Sequence, residues 1–528
     1  MHPHPASDAV VSLPADTNQA LGLGQYAVDF MSDQRGKRGE PDHAVIEKTN
    51  LFHVDSVLCG VSALALGTNA PTVLRDEALR YRMHANINVA GPHAKRAGVP
   101  VFGSTHELFP EKAIVANSAA VREWDSNGTN FGYNPTLGHT AGEFGHNDFY
   151  PVALAAAQLR GEDGAFAMRG MILLDEIRGR LAEVFSLKTY KIDHVLHGAI
   201  ASAATYGAML GATPEQIESA IGMVVAHYVP FRAIRAGKQL SDSKGASAAI
   251  STEAAIVAMT RSMHGFLGPR DIFRNPEAVF CLFQKPPSKG SSPFNLMLGR
   301  AGGEFAVMGM HFKLGLYEHQ SAGAIQSLLD LLRKNPGLLE GSGGERIKSI
   351  KIVAYEPAFG IIGDPAKRDP HTRQSADHSM VYIIATLLRK ALQKKTSDWA
   401  SLMLGPHDYN AEAIHDQLTR RLMDRIAFEH GGPEYDRRYP EGIPTSMVIT
   451  DDKGGAHDSG LCMFPTGHAR NTTADLKGLL NHKFTMLGGL AVKDPRALIM
   501  RLSELEKKTE QDIATLYDFQ IENRGKFE

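Results

Sequence analysis

Apolar residues recur at helical spacing through the first half of the chain and switch to alternation in the second. Residues 43–67, HAVIEKTNLFHVDSVLCGVSALALG, keep one periodic apolar set and stop at Gly67, which predicts a single helix. Residues 197–229, HGAIASAATYGAMLGATPEQIESAIGMVVAHYV, predict two helices broken at Gly211-Ala212. Thr213, Pro214 and Gln216 supply an N-cap, a proline at the first helical position and a capping-box partner. Alanine and glycine along these helices allow close backbone approach, as helices buried on several sides require.

The pattern changes at KPPSKGSSP, Lys285–Pro293, which reads as a linker. Beyond it, RIKSIKIVAYE alternates as a strand. TSMVITDDKGGAHDSGLCMF reads as a hairpin turning at Asp452–Gly455. From about Asn471 the helical pattern returns, with Asp494 as an N-cap before Pro495. No internal repeat is visible. These elements predict three parts: a helical domain over 1–284, an α+β lid over 285–468, and C-terminal helices over 469–528 packing back on the first.

Composition narrows the function. Hydrophobic content of 43% and charged content of 22% are those of an ordinary globular protein. A net charge of −2 gives no global pull toward nucleic acid or an anionic membrane. Cys59, Cys281 and Cys462 lie far apart with no C-x-x-C pair, which argues against a disulfide framework and for a reducing compartment. The first residues show neither a basic-then-apolar leader nor an arginine-rich transit segment, so a cytoplasmic protein with a loose start of about 20 residues is expected. No run approaches the ~18 uninterrupted apolar residues of a membrane span.

Four polar constellations interrupt this background. Residues 122–152 bring Arg122, Asp125, Asn127, Thr129, His139, Glu143, His146 and Asp148 together among five glycines. Residues 193–197 hold Asp193, His194 and His197. Residues 230–247 hold Arg232, Arg235, Lys238 and Lys244. The fourth is split between Lys313 with His319 and Asp377-His378 with Tyr382. Arginine forks and lysine ammoniums suit carboxylates. Cations beside histidines and an aspartate are what dehydration of a polycarboxylate needs, because the proton α to a carboxylate is weakly acidic and the departing hydroxyl must be protonated. Each group also has a plain reading. Asp125–Thr129 can be a turn or cap, the His194/His197 pair a core and a surface histidine, the Arg/Lys run a solvated face, and Tyr382 a core tyrosine.

Taken in order, the constellations resemble the MmgE/PrpD family, and within it the 2-methylcitrate dehydratases. The matching segments are R-x-x-D-x-N-x-T at Arg122–Thr129, E-F-G-H at Glu143–His146, D-H-V at 193–195, Arg232-x-x-Arg235 with Lys244, FKLGLYEHQSA, ADHSMVY and FPTGH at 464–468. The match runs from about residue 45 to about 485, nearly the whole chain. The resemblance implies a mainly α fold with an α+β lid, the active site between the two, and a homodimer. It implies Asp125, His146, His194, His319 and Tyr382 as catalytic residues. Thr129, Arg232, Arg235, Lys244 and Lys313 are the implied substrate-binding residues. The implied reaction is cofactor-independent and metal-free loss of water from a 2-methylcitrate-like tricarboxylate. Decarboxylation of a cis-aconitate-like acid and epimerisation of a small dicarboxylate are the alternatives within the family. Three departures stand out. Gly128 replaces a carboxylate, and the segment between Thr129 and His146 is longer than in the family, so His139 competes with His146. The residues around His319 and before Tyr382 also differ.

Overall fold

The computed structural model describes residues 9–83, 93–235 and 239–527; Lys238 lies outside them. A helical body is built on Gln19–Met31, His43–Ala65, Pro110–Arg122, Tyr150–Arg160, Gly164–Val184, Val195–Met209, Pro214–His227 and Asp242–Met263. Val195–Met209 is buried along its whole length. It packs on both Gly164–Val184 and Asp242–Met263. Its small residues are what admit the neighbours: a Cβ on Gly198 would sit 1.9 Å from the Phe149 ring. The predicted break forms as a left-handed Gly211 followed by a complete Thr213/Gln216 capping box. Gly67, also left-handed, follows the end of the 43–65 helix.

The α+β layer holds a four-stranded sheet in the order 456–458, 445–451, 347–354, 426–430. The central pair is antiparallel, with Ile350 opposite Ile449 and Ile352 opposite Met447. Strand 426–430 runs parallel to 347–354, and the predicted hairpin closes the other edge. Ile347, Ile350, Ile352 and Ala354 are buried while Ser349 and Lys351 face water. Helix Ala322–Lys334 packs on strand 445–451 and on helix Met380–Lys394. Each buried Ile or Leu in such a layer contributes about 1.5–3 kcal/mol.

One sequence expectation needs correcting. Val10–Leu13 is not loose: it forms an antiparallel strand with Leu296–Gly299. Short strands of four residues give too little alternation to recognise. The same pairing, with Glu40–Pro41 beside Ala301–Gly302, carries the chain back onto the helical body after Lys285–Pro293. Helices Leu476–Ala491 and Pro495–Leu502 pack on His43–Ala65. No single helix among the described residues is long and apolar enough to cross a membrane.

Candidate active site

Helix Pro110–Arg122 ends in a tight turn, and Asp125 takes a left-handed backbone with φ of 50°. Aspartate tolerates this conformation better than most residues. The Asp125 carboxylate is buried beneath the α+β layer. Oδ1 accepts from Arg122 and Lys313, and Oδ2 accepts from Lys244 Nζ at 3.0 Å, with His378 Nε2 at 3.3 Å. Lys313 Nζ also donates to the Asp125 carbonyl at 2.8 Å. Burial pushes the Asp125 carboxyl up, but Arg122, Lys244, Lys313 and His378 outweigh it and hold it well below the usual range. Asp125 is thus a fixed anion, with no proton to donate at neutral pH.

Thr129 pairs with His146 across a two-residue antiparallel ladder, and the Thr129 hydroxyl donates to the Gly145 carbonyl at 2.9 Å. This ladder decides between the two histidines. The extra residues between the strands bulge away and carry His139 to Glu183, 3.1 Å from its Nδ1, while His146 faces the Asp125 cavity. His194 lies opposite, its ring centroid 5.2 Å from that of His146. Burial, helped by the nearby arginines, pushes both imidazoles well below their ordinary value, so both are neutral at pH 7. His194 Nε2 faces Arg235 Nη2 at 3.3 Å. Neither nitrogen of His146 has a hydrogen-bond partner among the described residues. His197, three residues on, is a core histidine with both nitrogens unpartnered, held down to about 3 by burial.

The cavity has about 60 Å³ of free space. Five cations line it, Arg122, Arg232, Arg235, Lys244 and Lys367, against two carboxyls, Asp125 and Glu318. Three of the cations expected to bind substrate are already engaged. Arg235 grips Asp193 with two nitrogens, Lys244 bonds Asp125 and reaches Asp377 at 3.4 Å, and Lys313 bonds Asp125. Arg232 and Lys367 are less committed. Arg232 Nη1 is buried with no partner, and the Lys367 ammonium has none among the described residues. Burial pulls both cations below their ordinary values, so an incoming anion would stabilise their charge.

Tyr382 does not reach this cavity. Its hydroxyl donates to the Asp408 carbonyl at 2.6 Å, within the α+β layer. His319 does not line it either; its ring stacks on His311 at 5.1 Å, and the neighbouring Glu318 and Gln320 face the cavity instead. Glu318 and Lys367 are the residues missed from the sequence, while His378, grouped there with Asp377, was not among the expected site residues and lines the cavity. ADHSMVY held a signal for His378, and the position beside His319 held one for Glu318. Burial pushes His378 down to about 3, with Asp377 Oδ1 2.5 Å from its Nδ1. Burial pushes Glu318 up to about 7.

Asp125, Asp377 and His378 are close enough to share an ion. Their charge is already met by Arg122, Lys244, Lys313 and Arg373, so a divalent cation would have to displace several ion pairs. This donor set does not fit a resident metal. The three cysteines lie on separate elements: helix 43–65, helix 279–283 and the bridge to Thr445. From the C-terminal side, Lys483 is buried. Its ammonium donates to the Ser126 carbonyl at 2.6 Å and the Lys313 carbonyl at 2.9 Å, and pairs with Asp55 at 2.6 Å.

The helical body and the α+β layer bring five cations and two neutral histidines around one small cavity. The MmgE/PrpD N-terminal domain model matches residues 35–290 and the C-terminal domain model residues 317–503. The chain belongs to the MmgE/PrpD family. It is similar to the mitochondrial 2-methylcitrate dehydratase of Yarrowia lipolytica, 26% identical over 446 residues, 80% of this chain and 76% of that one. It is also similar to the 2-methylcitrate dehydratase of Escherichia coli O157:H7, 24% identical over 389 residues, 71% and 74%. An alkylcitrate dehydratase of a fungal species is 24% identical over 329 residues, and the match spans 62% of each chain.

Proposed function

We propose that the protein is a hydro-lyase that removes water from a 2-methylcitrate-like tricarboxylate by proton transfer between its own side chains. The observation that carries this reading is the cavity itself, with its excess of cations and its neutral, unpartnered His146. Arg232 and Lys367 dock substrate carboxylates, because they line the cavity and, among the described residues, Arg232 Nη1 and the Lys367 ammonium have no hydrogen-bond partner. Lys244 and Lys313 add a field that steadies the negative charge developing as the α-proton leaves. His146 accepts that proton; His194 is less suited, since its Nε2 is occupied by Arg235. Thr129 and Asp125 fix the loop that presents His146 and the cations. The names of the related dehydratases support the substrate class. Assembly as a homodimer belongs to the same reading and is tested by light scattering.

The experiment is incubation with 2-methylcitrate, citrate and cis-aconitate while absorbance from a new conjugated double bond is followed. Rising absorbance with the first two substrates is the expected result. Carbon dioxide release from cis-aconitate without dehydration would replace the hydro-lyase by a decarboxylase in the same pocket.

A further inference from the structure

We infer that Glu318 is the general acid of this site, delivering its carboxyl proton to the hydroxyl group that departs; the inference rests on the hydro-lyase reading above. Glu318 and His319 are consecutive on a tight turn, and they part company there. His319 turns into the seam between layers, stacked at 5.1 Å on His311 and 5.6 Å from Phe131, with both ring nitrogens buried and unpartnered. Glu318 turns into the cavity that holds Asp125, His146, His194, Lys244 and Lys367.

The Glu318 carboxyl is oriented at both ends of the residue. Its backbone N–H donates to the Asp377 carbonyl at 3.0 Å, and its Oε2 accepts from the Gln320 N–H at 2.8 Å. Oε1 has no protein donor among the described residues, so it is the oxygen that carries the proton into the cavity. Burial raises this carboxyl and the Asp125 anion raises it further, while Lys313 and Lys244 pull it down. It balances at about 7, where a group can be protonated and still give its proton up. Among the described residues the other carboxyl lining the cavity, Asp125, is held ionised.

The step balances as follows. The C–H bond α to a carboxylate breaks toward His146, its electron pair is first held on that carboxylate as an enolate-type dianion, and the pair then forms the new C=C bond. The C–O bond to the hydroxyl breaks as Oε1–H passes its proton to the leaving oxygen. Alkene, water, an imidazolium and the Glu318 carboxylate result. The imidazolium proton returns to Glu318 through water, and no oxidant or reductant is needed.

The test compares wild type, Glu318→Gln and Glu318→Asp on 2-methylcitrate across pH 5 to 9, with exchange of the substrate α-proton in heavy water as a second readout. Wild-type kcat should fall as pH rises through about 7, because the acid is then deprotonated. Glu318→Gln should lose about 10²–10⁴-fold in kcat and lose that alkaline limb, while still exchanging the α-proton. Glu318→Asp should recover part of the rate and the limb. Retention of kcat within tenfold in Glu318→Gln, or an unchanged alkaline limb, overturns the assignment. Loss of both elimination and proton exchange in Glu318→Gln also overturns it, because the residue would then be holding the site rather than donating. A wild type that dehydrates nothing in the panel removes the hydro-lyase reading itself.

Discussion

Asp125→Asn keeps the size of the side chain and removes the one charge that Arg122, Lys244 and Lys313 share. All four groups are buried, with side-chain exposures of 3% or less. Breaking a buried ion pair by removing one partner costs about 3–5 kcal/mol, because the remaining charges are left uncompensated. A turn or cap role predicts at most ~1 kcal/mol, since asparagine caps about as well as aspartate. With unfolding entropy near 2.1 cal/mol/K per residue, the larger cost lowers Tm of a chain this size by about 3–5 °C. The pH dependence follows from the direction of the shift. The folded-state carboxyl lies below its unfolded value, so its stabilisation is present above pH ~4 and is lost as pH falls through the depressed folded value. The assay is thermal melting of both proteins from pH 7 down to pH 3, with and without citrate. The gap in Tm should be constant above pH ~4 and shrink below it. Citrate should raise the variant more than the wild type, because it supplies the missing negative charge. A variant that melts within ~1 °C of wild type at pH 7 and responds to citrate no more strongly would refute the reasoning, since Asp125 would not then be neutralising the cations.

Arg232→Met and Lys367→Met should each raise KM for the tricarboxylate about 10–100-fold, the worth of a charged hydrogen bond of 1.5–3 kcal/mol; unchanged KM in both would remove them from the docking role. Tyr382→Phe should leave kcat/KM near wild type and cost about 1 kcal/mol of stability, the bond to Asp408. A hundredfold loss of kcat would place the tyrosine back in the chemistry. His146→Asn should abolish turnover while His139→Asn keeps it, measured by the same absorbance assay. The reverse order would mean that the long loop folds back into the cavity.

The helical half and the hairpin were legible because their patterns are local. Apolar spacing, Gly67 and Gly211 as stops, and the Thr213 cap each act within a few residues. The Val10–Leu13 strand was not, because its partner lies almost three hundred positions away. In the site, the motifs point to segments that line the cavity and not always to the side chain that faces it. Glu318 and His319 differ by one position, and only the course of the turn decides which faces the cavity. Tyr382 sits at the start of a helix preceded by His378, which reaches Asp125, while its own hydroxyl points to Asp408. Lys367 carries no motif at all and enters the cavity from the end of a short 3-10 turn, Pro365–Lys367. Arg235, Lys244 and Lys313 were legible as cations, yet their carboxylate partners come from distant elements. Whether a cation is engaged or available is a tertiary property.

Lys483 has a consequence for how the protein is made. The carbonyls of Ser126 and Lys313 that it holds belong to the two segments framing Asp125, and its own helix begins at Leu476. A nascent chain therefore exposes nearly every ligand-facing residue to the cell before the residue that clamps them has been translated. During that interval the Asp55 carboxylate and both carbonyls lack their ammonium, and the loop around Asp125 is held only by its own cations. The frame closes late in synthesis, so a chain truncated before Lys483 would carry every residue that lines the cavity without the ammonium that ties its two segments together.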